Sequence, residues 1–92
     1  MRLKLTLHRP AEDPVDIVIT TDSTATTGDV ARHVAEADPS RSTPVADGDV
    51  VTLAVAPPSG ERLVPLQPDV PIGEAPIGSG FAASIVNYGP EF

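Results

Sequence analysis

The chain predicts an α+β domain, a mixed sheet of four to five strands with one helix packed across it, and three observations carry that prediction. Leu3, Leu5 and Leu7 alternate with Lys4, Thr6 and His8, the period of two of a strand with one face on a core. Val30, Ala31, Val34, Ala35 and Ala37 recur at helical spacing while Arg32, His33 and Glu36 point elsewhere. Two further extended runs follow, over 50–56 and 81–88, the first stopped by Pro57, Pro58 and Gly60 and the second preceded by the turn residues Gly78 and Gly80.

The first strand is expected over 2–8. Arg9, Pro10, Glu12, Asp13 and Pro14 then supply turn chemistry, and Val15, Ile17 and Ile19 resume the same phase over 15–20, so the two segments read as a hairpin. The hydroxyl-rich loop 21–27 ends in Thr26 and Thr27, either of which can cap a helix start by accepting from an otherwise unpaired amide, with Asp29 near the positive helix end. Asp38 and Pro39 stop that helix, because a residue before proline avoids the α region. After a polar loop and a turn at Ala46, Asp47, Gly48 and Asp49, the third strand places Val51, Leu53 and Val55 in one phase and Val50, Thr52 and Ala54 in the other. A short fourth strand over 61–66 is limited by Pro65 and suits an edge. An extended crossing segment, with Ile72 and Ile77 as buried aliphatic positions, feeds the last strand. A lone hairpin cannot bury its apolar face, so the helix must cross a sheet formed when the last strand joins the first.

Size and composition bound what such a domain does. The 92 residues make one small domain, which buries about two-thirds of its unfolded surface and leaves no room for a large substrate cavity. The chain is 40% hydrophobic with three aromatics, Phe81, Tyr88 and Phe92, so the core is aliphatic. Thirteen acidic against six basic residues give a net charge of −7, a field that repels nucleic-acid phosphates and anionic headgroups, so neither is an expected direct partner. Arg2, Lys4 and Arg9 hold half of the basic charge and read as solvated outward positions of a strand. The absence of cysteine removes disulfides and thiolate chemistry and fits a reducing compartment. No basic-apolar leader opens the sequence and no apolar run approaches the roughly 18 residues of a membrane span. A cytoplasmic protein is expected, which leaves open a place in the cytoplasmic part of a membrane-associated machine.

The order hairpin, helix, two strands, crossing and strand is a β-grasp, and with the Ile72, Ile77 and Ile85 positions it resembles the ubiquitin superfamily over residues 1–88, leaving 89–92 as a tail or domain boundary. More narrowly, residues 1–11, opening Met1, Arg2, Leu3, Lys4, Leu5, together with residues 14–32, Pro14 to Arg32, resemble the amino-terminal ubiquitin-like region of actinobacterial FtsK/SpoIIIE-type ATPases. That family belongs with the type VII secretion ATPases, where a similar fold of the YukD/EccD type also occurs. The resemblance implies a non-enzymatic assembly module that binds protein partners or other domains of its own polypeptide, in machinery for secretion or DNA translocation. No Gly-x-x-x-x-Gly-Lys-Ser/Thr sequence is present, so any ATPase chemistry is expected outside these residues, and no cofactor is expected. The alternatives are a stand-alone YukD-like adaptor and a MoaD/ThiS-like carrier. The second is disfavoured because Gly89, Pro90, Glu91 and Phe92 replace the terminal Gly-Gly such carriers use.

Sharper readings of single residues give way to simpler ones. His8 and His33 lack an evident ligand set for a metal. Asp47, Gly48 and Asp49 do not open a calcium loop, since the twelfth position from Asp47 is Pro58 rather than Glu. Residues 20–27 read as a capping loop before a phosphorylation site, and Gly73, Gly78 and Gly80 precede a strand rather than a helix, as turns and not a phosphate cradle. One surface remains as a candidate: with Ile85 directed to the core, Ser84 and Val86 point outward beside Thr52 and Ala54, a face on which a partner can dock.

Overall fold

The computed structural model describes residues 1–9, 12–38, 45–60 and 62–90. Its elements are β1 (Arg2–Arg9), β2 (Glu12–Thr20), α1 (Thr27–Ala37), β3 (Asp49–Ala56), β4 (Val64–Pro65), a short 3-10 turn (Ile72–Glu74) and β5 (Ala82–Pro90). The five strands form one mixed sheet in the order β2-β1-β5-β3-β4. β1 and β5 run parallel at its centre, and the other neighbours are antiparallel. α1 packs across one face, which makes the domain an α+β fold of the β-grasp kind.

The core is the aliphatic layer between helix and sheet: Leu3, Leu5 and Leu7 from β1, Ile17 and Ile19 from β2, Val51, Leu53 and Val55 from β3, Ala83 from β5, and Val30, Ala31 and Val34 from α1. The alternation in the sequence thus reports the face of each strand, as period-two patterning requires. The helix starts where the threonines place it. Thr26 is the N-cap, its Oγ1 accepting from the Asp29 amide at 3.1 Å, and Asp38 at the C-cap turns into extended backbone.

Several details differ from the sequence expectations. β2 begins at Glu12 and so includes Pro14. Arg9 Nε donates to the Asp13 carbonyl at 3.1 Å and tightens the hairpin, leaving Pro14 on the outermost strand, where a missing N–H costs least; Pro10 and Ala11 of the expected turn lie outside the described residues. β4 spans only Val64–Pro65, paired with Val55 and Ala54, and one further backbone bond follows it, from the Leu66 amide to the Leu53 carbonyl at 2.8 Å. Glu61, the expected start of that strand, lies outside the described residues, as does the expected polar loop 39–43 after the helix. Ala37 is exposed rather than part of the buried helix stripe. In β5 the fully buried residue is Ala83, and Ile85 packs against the core only partly buried.

The crossing segment is more ordered than an extended connection. It lies against the loop that enters α1: the Thr27 amide donates to the Val70 carbonyl at 2.9 Å, Gly28 to Pro68 at 2.8 Å, Ile72 to Ala25 at 2.7 Å and Gly73 to Ser23 at 2.9 Å. Thr27 Oγ1 adds a second bond to Val70 at 2.9 Å. Gly73 is required there, since a Cβ would sit 2.8 Å from the Ser23 Cβ. This ladder seats Ile72 fully buried beneath the helix start, while Ile77 is only partly buried.

Candidate protein-interaction face

The face of the sheet away from α1 is built from the alternate residues of every strand. Register sets Thr52 opposite Val86, Ala54 opposite Ser84, and Ala56 opposite Ala82 between β3 and β5. Thr6 lies beside Ala82 across the parallel pair, and Pro65 flanks Ala54 on the other side. The expected quartet of Thr52, Ala54, Ser84 and Val86 therefore shares one face. The surface it presents is uneven. Ser84 and Val86 are half-buried, whereas Thr52 is 0% and Ala54 6% exposed. Short side chains on a strand between two neighbours lie below the larger groups beside them, so Thr52 and Ala54 form a floor and offer little contact area of their own. Their outward phase is as expected, while their exposure is not.

Thr52 has a structural task instead, its Oγ1 donating to the buried Leu66 carbonyl at 2.8 Å. A Thr52→Val substitution keeps the volume and removes the donor, so it is expected to destabilise the domain by about 1–2 kcal/mol in a denaturant titration.

At one end the small-residue floor deepens into an open depression of about 270 Å³ lined by His8, Ala56, Gly60, Arg62, Leu63 and Ala82. His8 is exposed there; His33 is exposed on the helix, remote from this face. Among the described residues no group of three or more His, Asp or Glu converges as a metal site. No helix among them is long and apolar enough to cross a membrane.

At the other end a polar cluster fixes the entry to β3. The Asp49 carboxylate accepts from Asn87 Nδ2 at 2.9 Å and from the Ala46 amide at 3.0 Å. Arg32, on α1, donates to the backbone carbonyls of Ala46 and Asp49. Gly48, at φ 87°, supplies the left-handed turn between them. The Asp47, Gly48 and Asp49 run is thus a turn, and its second acid is a brace between β3 and β5. The Asn87 bond, the Ala46 amide and the nearby Arg32 charge hold the Asp49 pKa below its ordinary 3.8 against a smaller opposing effect of burial. A carboxylate whose pKa is lowered by folding stabilises the native state above its unfolded pKa and loses that contribution as pH falls through the folded value. Acidification below 3.8 is therefore expected to release this brace, and an Asn87→Ala variant is expected to show a shallower loss of stability over that range, read from denaturant midpoints against pH.

Of the hydroxyls in the loop before α1, Thr26 and Thr27 are committed to the cap and to Val70, and Thr27 is fully buried. Arg9 corrects a further expectation. Read as a solvated strand residue, its side chain is only 9% exposed and pairs with the 1% exposed Asp38 at 2.8 Å. No local signal joins them, because the partners are 29 residues apart.

Comparison with protein-family models found no match, and a search of the curated proteins found none either.

Proposed function

We propose that this chain is a non-enzymatic protein-interaction and assembly module, the amino-terminal ubiquitin-like domain of an FtsK/SpoIIIE-type ATPase acting in secretion or DNA translocation. The observation that carries the docking role is the convergence of Thr52, Ala54, Ser84 and Val86 on one face of the sheet, opposite the face the helix covers. The sheet order β2-β1-β5-β3-β4 is compatible with the ubiquitin-like fold that the sequence resemblance implies. The resemblance of residues 1–11 and 14–32 supplies the ATPase context, with a cytoplasmic location and protein partners or neighbouring domains of the same polypeptide. A fold alone does not fix what a domain binds, so the reading rests on the face and the resemblance together.

Ser84 and Val86 supply what contact area the quartet has, with Thr52 and Ala54 as the floor between them and β4. The double variant Ser84→Glu with Val86→Glu tests the docking role. It is expected to abolish cross-linking of the domain to the rest of the ATPase assembly in cells while leaving thermal unfolding within a few degrees of the parent. Undiminished cross-linking by the folded double variant would overturn docking through this face.

A further inference from the structure

β2 is the outermost strand on one side of the sheet, and its hydrogen-bonding phase decides what it offers. The Thr21 amide donates to the Met1 carbonyl at 2.8 Å, so the pairs in phase with it, Leu3 with Ile19, Leu5 with Ile17 and Leu7 with Val15, are the hydrogen-bonded ones. β1 agrees, since the intervening residues turn toward β5: Lys4 O accepts from Gly80, and the Thr6 amide donates to Phe81. On β2 the corresponding groups of Asp16, Val18 and Thr20 therefore point away from β1, along the open edge. No partner for them occurs among the described residues. Pro14 shares this phase and closes the run at one end because it has no N–H.

The five residues from Asp16 to Thr20 are nearly palindromic about Val18. Turned antiparallel on itself, this strand sets Val18 against Val18 of a second copy, each Ile17 against the other Ile19, and each Asp16 against the other Thr20. The outward N–H and C=O groups then face each other at all three positions of that phase. The inner row of isoleucines continues from one core toward the next, no acid opposes an acid, and Val18, 49% exposed in the single chain, is covered. We propose that β2 pairs with β2 of a second copy of this chain, antiparallel and centred on Val18, joining two five-stranded sheets into one with both helices on the same side. The contact is isologous and closed, because it uses the edge on both copies. It is independent of the docking face, since it uses the edge of the sheet rather than its surface.

The pairing is short, so it belongs to the small, transient class of interfaces, with a dissociation constant on the order of 100 µM. Each copy carries a charge of −7, so association is expected to strengthen as salt screens that repulsion. The opposite trend would mark attraction to a basic segment.

Sedimentation velocity of the chain from about 10 µM to about 1 mM brackets that expected constant. The weight-average mass is expected to climb from 9.5 kDa toward twice that value. Val18→Glu sets a carboxylate beside Lys4 within each copy, since Lys4 is the cross-strand neighbour of Val18, but puts two carboxylates face to face across the pairing. It is expected to weaken association at least tenfold with an unchanged melting curve. Should that variant unfold, Val18→Pro removes a donor that β1 does not use and has the same expected effect. A mass of 9.5 kDa throughout the range, or a folded Val18 variant that associates as the parent does, would overturn the proposal. So would a chain that stays monomeric while its edge is saturated by an extended peptide.

Discussion

Asp38→Asn is expected to destabilise the domain by about 3 kcal/mol, because it removes the buried carboxylate paired with Arg9, whose guanidinium water hardly reaches and whose other acid, Glu12, stands farther off at 3.9 Å and half in solvent. The pair spans 2.8 Å between side chains that are 9% and 1% exposed. It ties the β1–β2 hairpin to the end of α1, with Arg9 also bonded to the Asp13 carbonyl. For a domain of this size the whole stability is roughly 5–14 kcal/mol, so the loss is a large share of it. Thermal unfolding would report it as a fall of roughly 10–20 °C. Replacing both partners by apolar residues of similar length, Arg9→Met with Asp38→Leu, is expected to recover most of the loss, since the double variant buries neither charge. Equal losses in the single and double variants would show that geometry at the helix end, rather than charge balance, is what the pair supplies.

Ile72→Ala is expected to cost about 3–4 kcal/mol, against about 1 kcal/mol for Ile77→Ala. The two isoleucines look equivalent in the sequence, both flanked by proline and glycine in the crossing segment. Ile72 is completely buried and its own amide donates to Ala25, whereas Ile77 only packs against the edge of the core. A cavity at Ile72 also undercuts the ladder that holds the start of α1, so hydrogen exchange of the first helical turn is expected to accelerate with it. Urea titration of the two variants checks the ranking, and equal costs would contradict the inferred role of the crossing segment.

These contrasts show which physical signals are local and which are not. Alternation in β1 and the Thr26 cap were legible because a strand face and a helix start are set by residues within a few positions of one another. The division of β3 into Val51, Leu53 and Val55 on one side and Thr52 and Ala54 on the other was legible for the same reason. How far Thr52 lies beneath its surroundings was not, since its cover comes from strands distant in sequence. The bonds between residues 68–73 and 23–28 were also hidden: they are backbone bonds between separated segments, and backbone groups leave no mark on composition. Arg9 carried a misleading local cue, that of a solvated strand residue, while Asp38 ends the helix as its place before proline implies but gave no sign of its distant partner. The candidate face was half legible, its membership following from strand phase and its relief from packing.

The most direct test of the proposed role is the intact mass of the native polypeptide that carries this sequence in its own cells, with sequencing of whatever follows Phe92. The account predicts a mass far above 9.5 kDa and a nucleotide-binding Gly-x-x-x-x-Gly-Lys-Ser/Thr segment downstream. A native mass near 9.5 kDa would contradict the ATPase context and leave a free-standing adaptor of the YukD type as the reading of the same sheet face.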